Sequence, residues 1–175
     1  MNNFFIVSSL ILLFSTFGSN GYAGSMAEVR LINPNGESVG VGTFSETGEG
    51  VRVVVHVAGF EPGYHGLHIH EKGSCEPPGF KSAGGHFNPF GKEHGRINPK
   101  GTHAGDLPNL LVDSNGIGTA VVNAPLVTLR DGENSLLKSG GTALVIHIGA
   151  DDNMSQPTGK AGGRVACGVI RKLAK

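Results

Sequence analysis

The sequence predicts an all-β protein, eight short strands closed into a sandwich or flattened barrel with two long loops. Three observations carry this prediction. Glycine is abundant, at 29 of 175 residues, while tryptophan is absent and aromatics are few, which suits strands and ordered turns better than a helical bundle. Short alternating or β-rich runs recur, each closed by Gly, Asn or Pro. Between residue 71 and about residue 100, and again over 149–163, turn punctuation continues without a helical period, which leaves ordered loops.

In chain order, the first segment stands apart. Residues 4–17 form an apolar run broken only by serine and threonine, followed by the small residues Gly18, Gly21, Ala23 and Gly24. A membrane-spanning helix needs ~20 apolar residues, so this run fits the core of a signal peptide. We expect a signal over 1–23, cleaved after Ala23, and one domain over 24–175. No Lys or Arg precedes the run, and no cysteine follows it directly. The expected destination is the periplasm or the cell exterior, with no stable membrane association after removal of the signal.

Strands are predicted over 27–33, 39–46 and 51–58. The turns Asn33-Pro34-Asn35-Gly36 and Thr47-Gly48-Glu49-Gly50 join them into antiparallel neighbours. A fourth strand covers 66–70. Strands over 106–112 and 117–122 flank Asp113-Ser114-Asn115-Gly116, a hairpin signal. The last two cover 142–148 and 164–170.

Five of the eight histidines fall between Gly66 and Asp106: His68, His70, His86, His94 and His103. His68 and His70 alternate with Leu67 and Ile69, so in a strand both rings share one face. Downstream, His86, His94, His103 and Asp106 offer three nitrogens and one oxygen, enough for a closed tetrahedral metal site. A lone strand histidine is ordinarily a satisfied side chain, and His56 and His65 are read that way. Five imidazoles in a glycine- and proline-rich stretch have no such explanation, because loops have no core that would require them. A bound metal would also supply the energy that orders a long loop without a core.

Formal charge is zero, so there is no global basic field for nucleic acid or anionic lipid. The two cysteines, Cys75 and Cys167, form an even pair, which in an exported protein points to a disulfide; the other reading is two inert buried thiols. Pairing would close a loop worth roughly 4–5 kcal/mol in the chain-entropy model.

Gly66-Leu67-His68-Ile69-His70, Gly85-His86-Phe87-Asn88-Pro89, His103-Ala104-Gly105-Asp106-Leu107 and Gly163-Arg164-Val165-Ala166-Cys167-Gly168-Val169-Ile170 resemble the signatures of the copper/zinc superoxide dismutases, in the form of a bacterial exported member. The resemblance spans nearly everything after the signal and implies a Greek-key barrel. It implies copper held by His68, His70, His86 and His147, and zinc held by His86, His94, His103 and Asp106, with the His86 ring bridging the two. It also implies that Asp151 connects His68 to His94, and that Arg164 guides the anion. The implied reaction converts two superoxide anions and two protons to dioxygen and hydrogen peroxide, with His86 as proton donor and copper cycling between oxidation states. The loop over 149–163 carries Asp151, Asp152 and Lys160 and little of the charged stretch of the cytosolic relatives; Lys160 is a candidate for part of the steering. Members are monomers or dimers, and a homodimer is one of the two expected states.

Two other readings compete. An exported copper and zinc store on the same fold explains the ligands, but not Arg164 or a shared ring. An electron-transfer copper site would use cysteine and usually methionine, and both cysteines here are better read as a disulfide.

Overall fold

A computed structural model of the protein describes residues 25–173. The expected signal over 1–23 lies outside them. Ten strands occur: β1 Met26–Ile32, β2 Ser38–Thr47, β3 Gly50–Ala58, β4 Gly63–His65, β5 Leu67–His70, β6 Leu110–Val112, β7 Ile117–Ala124, β8 Ala143–His147, β9 Arg164–Val169 and β10 Arg171–Lys172. They form one antiparallel sheet in the order β4-β6-β7-β3-β2-β1-β9-β8-β5, with β10 beside β1. The two strands that end this order, β4 and β5, are separated in the chain only by Gly66. The sheet therefore curls until its edges meet, giving a flattened barrel whose edges are nearly eliminated.

The local chemistry of the hairpins is visible. The Asn33 carboxamide oxygen accepts from the N–H groups of Asn35 and Glu37 at 2.9 and 3.0 Å. Asp113 accepts from Asn115 and Ile117, each at 2.9 Å. Such side-chain caps favour turns over continued strand. β1, β3 and β7 alternate buried and exposed residues for most of their length, so Val29, Leu31, Val51, Val53, Val55 and Ala120 fill the barrel.

β5 and β8 are buried on both faces. Leu67, Ile69, Leu144 and Ile146 enter the main core, while Ala143 and Val145 meet Phe80, Ala83 and Cys167 in a second cluster outside the barrel. The long loops lie over this outer face. The Cys75–Cys167 disulfide forms, with Cα atoms 5.6 Å apart and a sequence separation of 92, and fastens the first loop to β9.

All eight expected strands are present, with differences at four places, one of them the two-residue β10 beside β1. β4 is additional: three residues after Pro62 are too few to show a period. The strand expected over 106–112 is regular only from Leu110, because Pro108 has no N–H to donate; Asp106 makes just an isolated bridge with His68. A third long connection, 125–142, crosses from β7 to β8. Glu46 holds it, accepting from Thr128 Oγ1 at 2.8 Å, from the Leu129 N–H at 2.5 Å and from Arg130 Nε at 3.0 Å.

Replacing both Cys75 and Cys167 with alanine is expected to lower the unfolding free energy by roughly 4–5 kcal/mol, the chain-entropy value for so long a loop. Urea unfolding of the metal-free protein measures it, and a loss below about 1 kcal/mol would mean that the loop is held without the crosslink.

Candidate metal centre

Each sequence-predicted histidine reaches one site on the outer face of β5 and β8. His68 and His70 project from β5, opposite Leu67 and Ile69. His86 pairs across from His70, and the next residue, Phe87, is buried in the core. The Phe87 N–H donates to the Ile69 carbonyl at 2.8 Å and the Gly105 N–H to the Phe87 carbonyl at 2.9 Å. This brings the segment holding His103 and Asp106 alongside. His147 ends β8.

Two groups of four result: His68, His70, His86 and His147, and His86, His94, His103 and Asp106. Within each group the ligand atoms lie within 4.8 Å of one another, and every member is buried. His86 belongs to both. One ring nitrogen of each histidine is engaged or outward, while the other is buried with no hydrogen-bond partner: Nδ1 of His68, His94 and His103, and Nε2 of His70, His86 and His147. His70 Nδ1 donates to the Gly84 carbonyl at 3.0 Å, and His147 Nδ1 to the Gly162 carbonyl at 3.0 Å. These bonds fix the tautomer and leave the opposite lone pair free.

The donor set fits two cations. Oδ1 of Asp106 lies 2.9, 3.1 and 3.3 Å from Nδ1 of His86, His94 and His103. Ligands of a tetrahedral ion with ~2 Å bonds lie ~3.3 Å apart. On the other side, four imidazoles without a carboxylate suit copper.

Asp151 connects the two groups. Its Oδ2 accepts from His68 Nε2 at 2.7 Å and its Oδ1 from His94 Nε2 at 3.0 Å. Gly159, at φ +64°, lies against this pair, where a Cβ would fall on the carboxylate. Arg164, on β9, donates from Nη1 to the Phe80 carbonyl and from Nη2 to the Gly84 carbonyl, each at 2.6 Å. Lys160 is exposed. His56 is exposed and bonds Thr119. His65 is buried between the carbonyls of His147 and Glu61 at 2.7 and 2.8 Å, outside both groups.

Burial, with the neighbouring imidazoles, pushes His68 down to about 3, His70 to about 2 and His147 to about 4; His86 is lowered chiefly by burial. Burial also opposes charge on His94, but the carboxylates of Asp106 and Asp151 outweigh it and raise that group to about 9. For Asp106 and Asp151 burial favours the neutral acid, yet the surrounding imidazoles dominate and hold both below the usual carboxylate range.

Three supports were not foreseen. Gln156 clamps the His94 backbone, accepting from its N–H at 2.8 Å and donating to its carbonyl at 2.9 Å. Asn109 makes the same reciprocal pair with the Asp151 backbone, both bonds at 2.9 Å. Thr102 donates to Oδ2 of Asp106 at 2.9 Å. Uncharged side chains at irregular spacing carry no pattern that would reveal them.

Fold and side-chain geometry together give two four-residue groups on the outside of a β-barrel, sharing His86, each of which could hold a metal ion. The model of the copper/zinc superoxide dismutase (SODC) family matches residues 38–170. Superoxide dismutase (Cu-Zn) 2 of Aquifex aeolicus is 49% identical over 168 residues, covering 95% of this chain and 96% of that protein. Among solved structures, a superoxide dismutase-like protein from Bacillus subtilis superposes with a TM-score of 0.79 at 43% identity, over 81% of this chain and 96% of that one. A Cu/Zn superoxide dismutase from Brucella abortus does so at 0.67 and 33% identity, over 83% and 99%. The chain belongs to the copper/zinc superoxide dismutase family.

Without metal, the folded protein keeps His68, His70 and His147 neutral well below 6.5, whereas the unfolded chain protonates them near that value. Their contribution is present above pH 6.5 and is lost progressively as pH falls through about 4 for His147, 3 for His68 and 2 for His70. His94 runs the other way, contributing below 6.5 and losing its contribution as pH rises through about 9. Stability of the metal-free protein is expected to peak near pH 6.5–7 and fall on both sides. In the loaded protein the alkaline fall should vanish, because a metal replaces the His94 proton. Urea unfolding across pH 4–10, with and without metal, checks both limbs.

Proposed function

We propose that the chain is a superoxide dismutase in which copper is held by His68, His70, His86 and His147 and zinc by His86, His94, His103 and Asp106. One observation carries the residue assignment: His86 is in both groups, its Nε2 unpartnered and its Nδ1 against Asp106, with Arg164 fixed nearby on the loop that carries it. When bound, copper supplies the one-electron couple, and zinc keeps the shared ring oriented with no redox of its own.

The protein's own residues supply the rest. Arg164 offers a planar guanidinium to a small anion arriving at the site. In one half-reaction a superoxide gives up its electron and leaves as dioxygen, while Nε2 of His86 takes up a proton. In the other, a second superoxide gains the electron and receives that proton from His86. With a further proton from water it leaves as hydrogen peroxide. Asp151 holds the rings of His68 and His94 in one orientation throughout.

The apolar run over 4–17 supports export by a signal over 1–23, with a mature domain from Gly24 in the periplasm or outside the cell. The Cys75–Cys167 disulfide agrees with an oxidising compartment.

His147→Ala is expected to abolish the acceleration of superoxide decay while zinc is retained; activity equal to wild type would refute the copper assignment, and a metal-loaded wild type that gives no acceleration would leave a metal store as the reading. Arg164→Ala should slow turnover roughly tenfold or more, with both metals still present by elemental analysis, because a local anion contact is lost. Metal loss in that variant would make Arg164 structural instead. Sequencing the N-terminus of protein recovered from expressing bacteria is expected to give Gly24 first, and an intact Met1 would refute the signal.

A further inference from the structure

Glu71 follows His70 directly. Its side chain is exposed, yet it is engaged on both sides of one residue of the metal loop. The Glu71 N–H donates to the Gly85 carbonyl at 3.0 Å, and Oε1 of its carboxylate accepts from the Gly85 N–H at 3.1 Å. The side chain lies flat against Gly84, where a Cβ would come 2.5 Å from Oε1 and 2.7 Å from Cγ.

The Gly85 N–H and the Gly84 carbonyl belong to the same peptide unit. The oxygen end of that unit accepts from Nη2 of Arg164 at 2.6 Å and from Nδ1 of His70 at 3.0 Å. A peptide unit is planar, so its N–H and its C=O turn together. Here both flanking residues are glycine, and Gly84 has φ +75°. Little intrinsic preference opposes rotation of a plane between two glycines. The carboxylate of Glu71 is what holds the N–H end. A carboxylate accepting from the N–H also polarises the carbonyl, strengthening the bonds it receives.

We infer that Glu71 is a positioning residue for the anion-holding arginine: it locks the Gly84–Gly85 peptide unit so that one carbonyl faces both Arg164 and His70. The inference rests on the reading of Arg164 as the group that holds the anion. It concerns the hydrogen bond that Glu71 accepts and not its charge.

Azide titration of the copper- and zinc-loaded protein, followed by visible absorption, tests it together with hydrogen exchange at the Gly85 amide in the zinc-loaded, copper-free protein. Glu71→Ala is expected to weaken azide about three- to tenfold, the worth of one hydrogen bond, with both metals at full occupancy and faster exchange at Gly85. Glu71→Gln should restore affinity and protection, since its amide oxygen accepts the same N–H. Glu71→Asp, which keeps the charge but is one methylene shorter, should behave like the alanine variant. Wild-type affinity and protection in Glu71→Ala would overturn the inference, as would a Gln variant as impaired as Ala, or loss of copper at intact fold. Arg164→Ala is the reference. If it leaves azide affinity unchanged, the reading of Arg164 fails and the inference with it. If Arg164→Ala weakens azide and Glu71→Ala does not, the inference alone fails.

Discussion

Among the described residues six buried imidazole nitrogens have no hydrogen-bond partner, and the rest of the structure is arranged around that constraint. A buried polar atom left unpaired costs about 1–3 kcal/mol. Six in one place are tolerable only if something other than hydrogen bonding engages them. They fall in the two groups of side chains that have His86 in common, a donor set that fits two cations. Binding free energy then becomes folding free energy for the long loops, which explains how residues 71–109 are ordered with so little core of their own.

The barrel supplies rigidity, and the site sits outside it. Leu67 and Ile69 lock β5 into the core, which fixes the direction of His68 and His70 on the opposite face. Phe87 does for the loop what those two do for the strand, anchoring His86 from the next position. Asp151 then makes the two groups one unit, because a single carboxylate sets the rings of His68 and His94.

How much of this was legible depended on whether a residue type announces its chemistry. Alternation of His68 and His70 with Leu67 and Ile69 was enough to place both rings on one face, and the histidine-rich loop was enough to expect a metal. Asp151 and Arg164 needed the family resemblance, since an acid in a loop or an arginine in a strand is ordinarily solvated. Gln156, Asn109 and Glu71 were out of reach. Each acts on the backbone of a residue distant or irregularly spaced in sequence, and backbone partners leave no compositional trace. β4 was missed for another reason: its three residues matter by closing the barrel, a property of topology and not of period.

Arg164 shows what such backbone contacts do for a charged side chain. A guanidinium usually finds a carboxylate, and a paired arginine presents little net field to an incoming anion. Here Arg164 is half-buried and makes no ion pair among the described residues; it is held by the carbonyls of Phe80 and Gly84. Peptide oxygens orient the fork without cancelling its charge. The distinction matters because the chain has no net charge and so no global field to draw a small anion in. On the proposed reading of Arg164 as the group that holds the anion, attraction is local, from one cation left without a carboxylate near His70 and His147. Keeping it so requires uncharged partners whose own positions are fixed by others: Phe80 by the small cluster against the Cys75–Cys167 disulfide, and Gly84 by the peptide plane it shares with Gly85.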